Sequence, residues 1–320
     1  MVSYMKTITA PQIWEEHIVP QIHKKFVVEV PSVWKFEQLI RRAGGEIHLD
    51  HGATRTVEPE VHAFITRLAE ALGLVISGSY DFPNKKLKAV ALQSPGKEGF
   101  KWFSTLIERE KFSPKAIEVI EDDIKRTSNK LSGVGLQVLE KLEKDKSLTE
   151  NEAVIFADEI VWTFLERQGP PVKKSTIDIL SKESSEIVNA LLLGLNFNHI
   201  GYDMDKLFIR SWYGQEIIEV MNDRMLLAGF EMLPEIQGQR GGLLRQTSTK
   251  ADSKEFQVEE EDGSRTTISS PYKFIELIQR GSERDENGRI KFDEKGRVLR
   301  FRGFLSGNTE KLYDATNIKR

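Results

Sequence analysis

A strand, a helix and further strands follow one another twice along this chain of 320 residues, and both occurrences open on a strand bearing a histidine. One such unit makes an incomplete sheet whose apolar face it cannot cover by itself, so the unit needs a partner. The first copy opens at Ile47-His48-Leu49-Asp50-His51-Gly52-Ala53-Thr54-Arg55-Thr56. Strand alternation predicts His51, Ala53 and Arg55 on one face there, and Asp50, Gly52 and Thr54 on the other. A helix over 58–73 follows, with Pro59 in its first turn and Val61, Phe64, Ile65, Leu68 and Leu72 in a stripe. Three short strands complete the copy at 74–80, 87–93 and 102–108, each bounded by Pro, Gly or Asn. The second copy opens at 196–203, where Phe197, His199 and Gly201 share a face, and passes through a helical stretch to Gly229. Its candidate strands lie at 232–236, 243–249, 256–259 and 272–280.

The rest of the chain divides around these copies. Residues 1–45 read as mostly helical, with Val33, Trp34, Phe36, Leu39 and Ile40 at helical spacing and Ala43-Gly44-Gly45 as the stop. Residues 113–195 read as a helical insertion covering one side of the sheet system, and Leu148-Thr149-Glu150-Asn151-Glu152 resembles a capped helix start. Residues 282–320 form a charged C-terminal segment. The expected architecture is α+β, with modules at 46–112 and 196–281.

Composition narrows the chemistry. There is no cysteine, which removes disulfides, thiolate nucleophiles, iron–sulfur clusters and Cys-type zinc sites together. A metal would have to be held by carboxylates or by the six histidines at 17, 23, 48, 51, 62 and 199. The net charge of −3, with lysines interleaved among glutamates, gives no footprint for nucleic acid. The apolar run at 190–195 is too short to cross a bilayer, and the N-terminus lacks the apolar core of a secretion signal. The expectation is a cytoplasmic protein with neither nucleic acid nor membrane as partner.

His51 and Arg55 share a strand face with only Ala53 between them, which leaves room for a ligand. A structural hydrogen-bonding pair is the commoner outcome for such residues. In Tyr272-Lys273-Phe274-Ile275-Glu276-Leu277-Ile278-Gln279-Arg280-Gly281, Glu276 is bracketed by apolar residues on both faces. Buried unpaired it would be costly, so it should meet a cation, either a salt-bridge partner such as Arg280 or Arg245, or a metal. Joined, His51, His199 and Glu276 make a set of two imidazoles and one carboxylate. That set leaves three metal positions open and suits non-haem Fe(II), with a 2-oxo acid chelating through two positions and dioxygen taking the third. His48 falls on the opposite strand face and His62 on a helix, so neither joins the set; His17 and His23 sit in charged helical surroundings.

Together, His51-Gly52-Ala53-Thr54-Arg55, the Tyr80-Asp81 to Leu87 region, Asn198-His199, Leu243-Leu244-Arg245-Gln246-Thr247-Ser248 and Glu276-Leu277-Ile278-Gln279-Arg280-Gly281 resemble the 2-oxoadipate dioxygenase/decarboxylase family of the vicinal oxygen chelate superfamily. The resemblance runs from about residue 45 to about residue 281 and implies two βαβββ modules enclosing a metal. It also implies ligands at His51, His199 and Glu276, and a substrate-carboxylate-binding arginine at Arg55, whose planar fork suits that task. The implied reaction is oxidative decarboxylation of 2-oxoadipate to 2-hydroxyglutarate and carbon dioxide. The implied cofactor is Fe(II), at a site that would also accept Ni(II) or Zn(II), and the partners are a small 2-oxo acid and dioxygen.

Further expectations attach to the neighbours. Gln246 and Ser248 share a strand face and line the pocket, and Gln279 orients Glu276 or a bound water. The loop Arg302-Gly303-Phe304-Leu305-Ser306-Gly307 closes over the site, with Ser306 toward the substrate. The chain is shorter than the better-known bacterial members, and its part after Gly281 matches them poorly, so the 2-oxo acid class is better supported than 2-oxoadipate itself. Two other readings compete: another metal-dependent enzyme on this scaffold, either a ring-cleaving dioxygenase or an isomerase, and a non-catalytic metabolite-binding module.

Overall fold

The computed structural model describes residues 6–96, 98–212, 216–305 and 313–316. Strands run β1 (Thr7–Thr9), β2 (Leu49–Thr56), β3 (Val75–Phe82), β4 (Leu87–Gln93), β5 (Lys101–Ile107), β6 (Ser147–Thr149), β7 (His199–Asp203), β8 (Leu244–Ser248), β9 (Ser253–Glu259), β10 (Arg265–Pro271) and β11 (Phe274–Arg280). Helices are α1 (Ala10–Gln12), α2 (Val19–Glu29), α3 (Pro31–Arg42), α4 (Pro59–Ala71), α5 (Pro114–Arg126), α6 (Gly133–Asp145), α7 (Glu150–Glu159), α8 (Lys174–Leu180), α9 (Ser185–Leu193) and α10 (Ile217–Leu227), with a π-helical stretch at Ile13–Ile18 joining α1 to α2.

Seven strands form one curled half-barrel sheet in the order β3-β4-β5-β2-β7-β11-β8. β2 and β7 pair antiparallel at its centre. Outward from this seam the two sides repeat one another: β2 runs parallel to β5 and β5 antiparallel to β4, while β7 runs parallel to β11 and β11 antiparallel to β8. The duplication expected from the sequence is thus a pairing of first strand against first strand. The first copy is complete as β2-α4-β3-β4-β5.

The second copy meets the same plan less regularly. The candidate strand at 232–236 lies along the free edge of β8, held by single bridges from Met232 to Thr249 and from the following Gln237 to Gln246. Pro234 has no N–H to give to a ladder, which confines the segment to an irregular edge. Residues 256–259 do not enter the sheet as expected. They belong to β9, which pairs with β10 as a separate hairpin inserted between β8 and β11 and bridges Lys173 at Glu259. The pair β1–β6 and the strand β10 were not anticipated.

The outer face of the sheet is sealed by the N-terminal helices. Trp14 stacks on Trp102 of β5 with ring centres 5.6 Å apart, and Phe36 of α3 meets Tyr202 of β7 edge-on at 4.7 Å. The insertion from 113 to 195 is mainly helical, with β6 within it, and α7 opens with a capping box in which Thr149 and Glu152 satisfy one another's backbone amides.

Two buried lysines mark where the N-terminal helices meet β11. Lys25 and Lys273 both donate to Asn196 Oδ1, at 2.8 and 3.5 Å, while Glu166 faces Lys25 and Glu29 accepts from Lys273 at 2.8 Å. Burial and the neighbouring Lys273 charge bring Lys25 down to about 7, and burial brings Lys273 down to about 8 against the pull of Glu29. Both values lie below those of an unfolded lysine, so the unfolded chain binds more protons between pH 7 and 10 and stability rises with pH across that window. Lys25→Met removes part of that slope. Thermal melts at pH 7 and pH 9 should show the wild type gaining on the variant as pH rises; parallel curves would contradict the buried-ammonium account.

Candidate metal centre

The register across the central seam assembles the site. In the β2–β7 pairing His51 stands opposite Gly201 and Ala53 opposite His199, while on the next ladder Glu276 of β11 stands opposite Gly201. A Cβ on Gly201 would lie 2.4 Å from the His51 ring, so this glycine makes the seat for the imidazole. Gly52 serves the other face: its missing side chain leaves room for the Phe197 and Phe100 rings.

His51, His199 and Glu276 converge. The Nε2 atoms of the two histidines are 3.1 Å apart, and Glu276 Oε2 lies 3.4 Å from His51 Nε2 and 3.3 Å from His199 Nε2. All three residues are buried, and they are the one such group of three found among the described residues. With metal–ligand bonds of about 2.1 Å, neighbouring ligands of a first-row ion stand about 3.0 to 3.4 Å apart. The donor set and its spacing fit a divalent ion bound on one side.

Asp50 Oδ2 lies 3.0 Å from His51 Nδ1 and accepts its proton, which aims Nε2 at the site, where a bound metal would take the place of a second proton. Burial would lower the His51 pKa, but the carboxylates of Glu276 and Asp50 outweigh it and hold it above the ordinary value. Burial, with the positive charges of His51 and Arg55, drives His199 well below its ordinary value and keeps it a neutral ligand. Burial would raise Asp50, yet Arg280 and Lys101 outweigh it and hold Asp50 far down as an anion.

Asp50 corrects the alternation reading, which placed it away from His51. The β2–β7 register shifts between Leu49 and His51, and this irregularity turns Asp50 toward the imidazole. The salt-bridge alternatives for Glu276 are also corrected. Arg280 grips Asp50, with Nε to Oδ1 at 2.9 Å and NH2 to Oδ2 at 2.7 Å, and Arg245 pairs with Glu216 and Glu219 of the α10 region. Gln279 does not serve Glu276. It faces outward and meets the start of α10, accepting from Ile218 N at 3.0 Å and donating to Glu216 at 2.8 Å.

Arg55 lies on the His51 face of β2, as alternation predicts, and forms a buried ion pair with Glu186 of α9. Gln246 and Ser248 are fully buried on the face shared with Glu276, since Ser248 stands opposite Glu276 and Gln246 opposite Ile278. The polar side-chain atoms of both, like His199 Nδ1, find no hydrogen-bond partner among the described residues. Buried polar groups left so are costly, and a cluster of them beside three converging ligands is a place for a polar small molecule. Phe304 packs edge-on to His51 with ring centres 5.0 Å apart and against Phe103 at 5.1 Å, while its amide donates to the Tyr80 hydroxyl at 3.3 Å. Ser306 lies outside the described residues.

Comparisons with known proteins show the family and the fold. The model of the 2-oxoadipate dioxygenase/decarboxylase family matches residues 18–302. No curated protein sequence matches the chain. A protein of Ralstonia eutropha JMP134 described as glyoxalase superfamily superposes with a TM-score of 0.76 at 20% identity, over 85% of this chain and 84% of its own. Hydroxyglutarate synthase from Oryza sativa, crystallised with 2-oxoadipate, gives 0.70 at 22% identity over 96% and 93%. The Pseudomonas putida hydroxyglutarate synthase, also with 2-oxoadipate, gives 0.57 at 20% identity, over 87% of this chain but 60% of its own. At these identities the structures establish the vicinal oxygen chelate fold.

Gly201 yields a direct test of the site. Gly201→Ala should push the His51 ring from its seat and weaken Co(II) binding about tenfold or more, as displacement of a ligand's support does elsewhere. Competition with a chromophoric chelator measures it, and undiminished affinity in a folded variant would mean that the seat is unimportant.

Proposed function

The chain belongs to the 2-oxoadipate dioxygenase/decarboxylase family, and from that premise we propose that it is an Fe(II)-dependent dioxygenase that oxidatively decarboxylates a 2-oxo dicarboxylic acid. The favoured substrate is 2-oxoadipate, which with one dioxygen gives 2-hydroxyglutarate and carbon dioxide. The observation carrying this reading is the approach of His51 Nε2, His199 Nε2 and Glu276 Oε2 to within 3.4 Å of one another on one face of the sheet. When bound there, Fe(II) supplies a Lewis-acidic, redox-active centre at which a chelating 2-oxo acid and dioxygen meet.

The chain's own residues do the rest. His51, His199 and Glu276 hold the ion, and Asp50 fixes the tautomer of His51. Arg55 anchors the distal carboxylate of the substrate, which takes over the guanidinium from Glu186. Gln246 and Ser248 turn their unpaired groups to the substrate oxygens. Phe304, Phe103 and Tyr80 wall the site and keep water from it. Ni(II) or Zn(II) would fill the same donors.

Specific features weigh against the alternatives. A ring-cleaving dioxygenase wants a further acid–base histidine, but His23 is paired with Glu37, His62 with Ser104, and His48 lies near Glu46. An isomerase commonly wants a fuller ligand set with a catalytic carboxylate. A non-catalytic module leaves three converging buried donors without a task.

Oxygen electrode and carbon dioxide measurements with Fe(II) and 2-oxoadipate test the reading: the expected result is one dioxygen consumed per carbon dioxide released. No uptake above the rate without 2-oxo acid would sink it. His199→Ala should abolish metal retention. Arg55→Ala should keep the metal while raising KM for the dicarboxylate about ten- to a hundredfold, the worth of hydrogen bonds to a charged group. Normal turnover by Arg55→Ala would remove its anchoring role.

A further inference from the structure

We propose that Arg280 is a positioning residue that ties the orientation of the His51 ligand to the seating of residues 301–304, so that one guanidinium governs both metal affinity and the aromatic wall over the site. The inference rests on the metal-site reading above.

Arg280 is the last residue of β11, four places beyond Glu276, and is fully buried. One edge of its guanidinium takes both oxygens of Asp50, at 2.9 and 2.7 Å. Asp50 in turn holds His51 Nδ1 at 3.0 Å, and Lys101 Nζ steadies the same carboxylate at 3.1 Å. The remaining terminal nitrogen, NH1, donates to the carbonyls of Gly303 at 2.7 Å and Phe301 at 3.3 Å. The guanidinium also lies over the Phe304 ring, 5.4 Å from its centre, and that ring meets His51 at 5.0 Å. A closed circuit results: Arg280 reaches His51 once through Asp50 and once through Phe304.

The geometry asks for arginine. A lysine ammonium is a point charge that can neutralise Asp50, but it cannot bind two carboxylate oxygens on one edge while donating to two carbonyls from another nitrogen. A merely structural Asp50–Arg280 pair would affect stability without separating the two effects. The circuit makes a different pattern: loss of the Asp50 arm alters the metal, loss of the Phe304 arm alters the substrate side, and change at Arg280 alters both.

The test uses the full chain with Co(II), whose visible spectrum reports its ligands, and 2-oxoadipate as the probe of the open side. Asp50→Asn should weaken Co(II) about ten- to a hundredfold, with little change in the 2-oxoadipate Kd at saturating Co(II). Phe304→Ala should leave Co(II) affinity near wild type and weaken 2-oxoadipate. Arg280→Lys should weaken both. If Arg280→Lys does not fold, the paired variant Asp50→Asn/Arg280→Gln is compared with Asp50→Asn alone: weaker 2-oxoadipate binding than in Asp50→Asn is expected, and equal binding overturns the link to residues 301–304. A folded Arg280 variant with wild-type Co(II) affinity, or with weakened Co(II) but unchanged 2-oxoadipate binding, overturns the role of Arg280 alone. A wild-type chain that takes up no Co(II) overturns the metal-site reading on which it stands.

Discussion

The antiparallel pairing of β2 with β7 is the constraint on which the rest of the molecule depends. Each strand belongs to a different copy of the duplicated unit, and each would be an unprotected edge without the other. Their register decides which residues face one another across the seam: His51 sits over Gly201 and His199 lies beside Ala53. A slip of one residue by either strand would send its imidazole to the opposite face, into the packing of Trp14, Trp102 and Phe197, and part it from the other. The apolar filling of the outer face therefore fixes the chemistry of the inner one.

Burying a metal centre in a sheet also means burying charge, and the surroundings balance it. Asp50 and Glu276 are opposed by Arg280 and Lys101, and Arg55 is opposed by Glu186. Such a cluster is close to neutral, as a low-dielectric interior requires.

The three side chains that converge as candidate ligands are legible in the sequence because position within a repeat is a local property. His51 and His199 each sit on the opening strand of a copy, and Glu276 is a carboxylate among apolar neighbours. The features that are not legible have separate origins. Asp50 was placed on the wrong face because a one-residue register shift cannot be read from alternation. Gln279 is expected to orient Glu276 or a bound water, whereas residues three apart on a strand point to opposite faces. Residues 256–259 of β9 read as a strand of the module because an inserted strand carries the same pattern as a sheet strand.

The amino-acid sequence by itself determined the class of fold, the doubled order of its elements and the kinds of side chain available for a metal without sulfur. Periodicity, turn residues and composition act over a few residues, and all of these follow from them. Only the tertiary structure decided which cations answer Asp50, that Arg280 reaches the 301–304 stretch, and that Arg55 rests against Glu186 of the helical insertion. Those partners lie 51, 230 and 131 residues apart for Lys101–Asp50, Arg280–Asp50 and Arg55–Glu186. Pairings at such separations are set by how the sheet curls and how the helices close over it, and no local pattern carries that information.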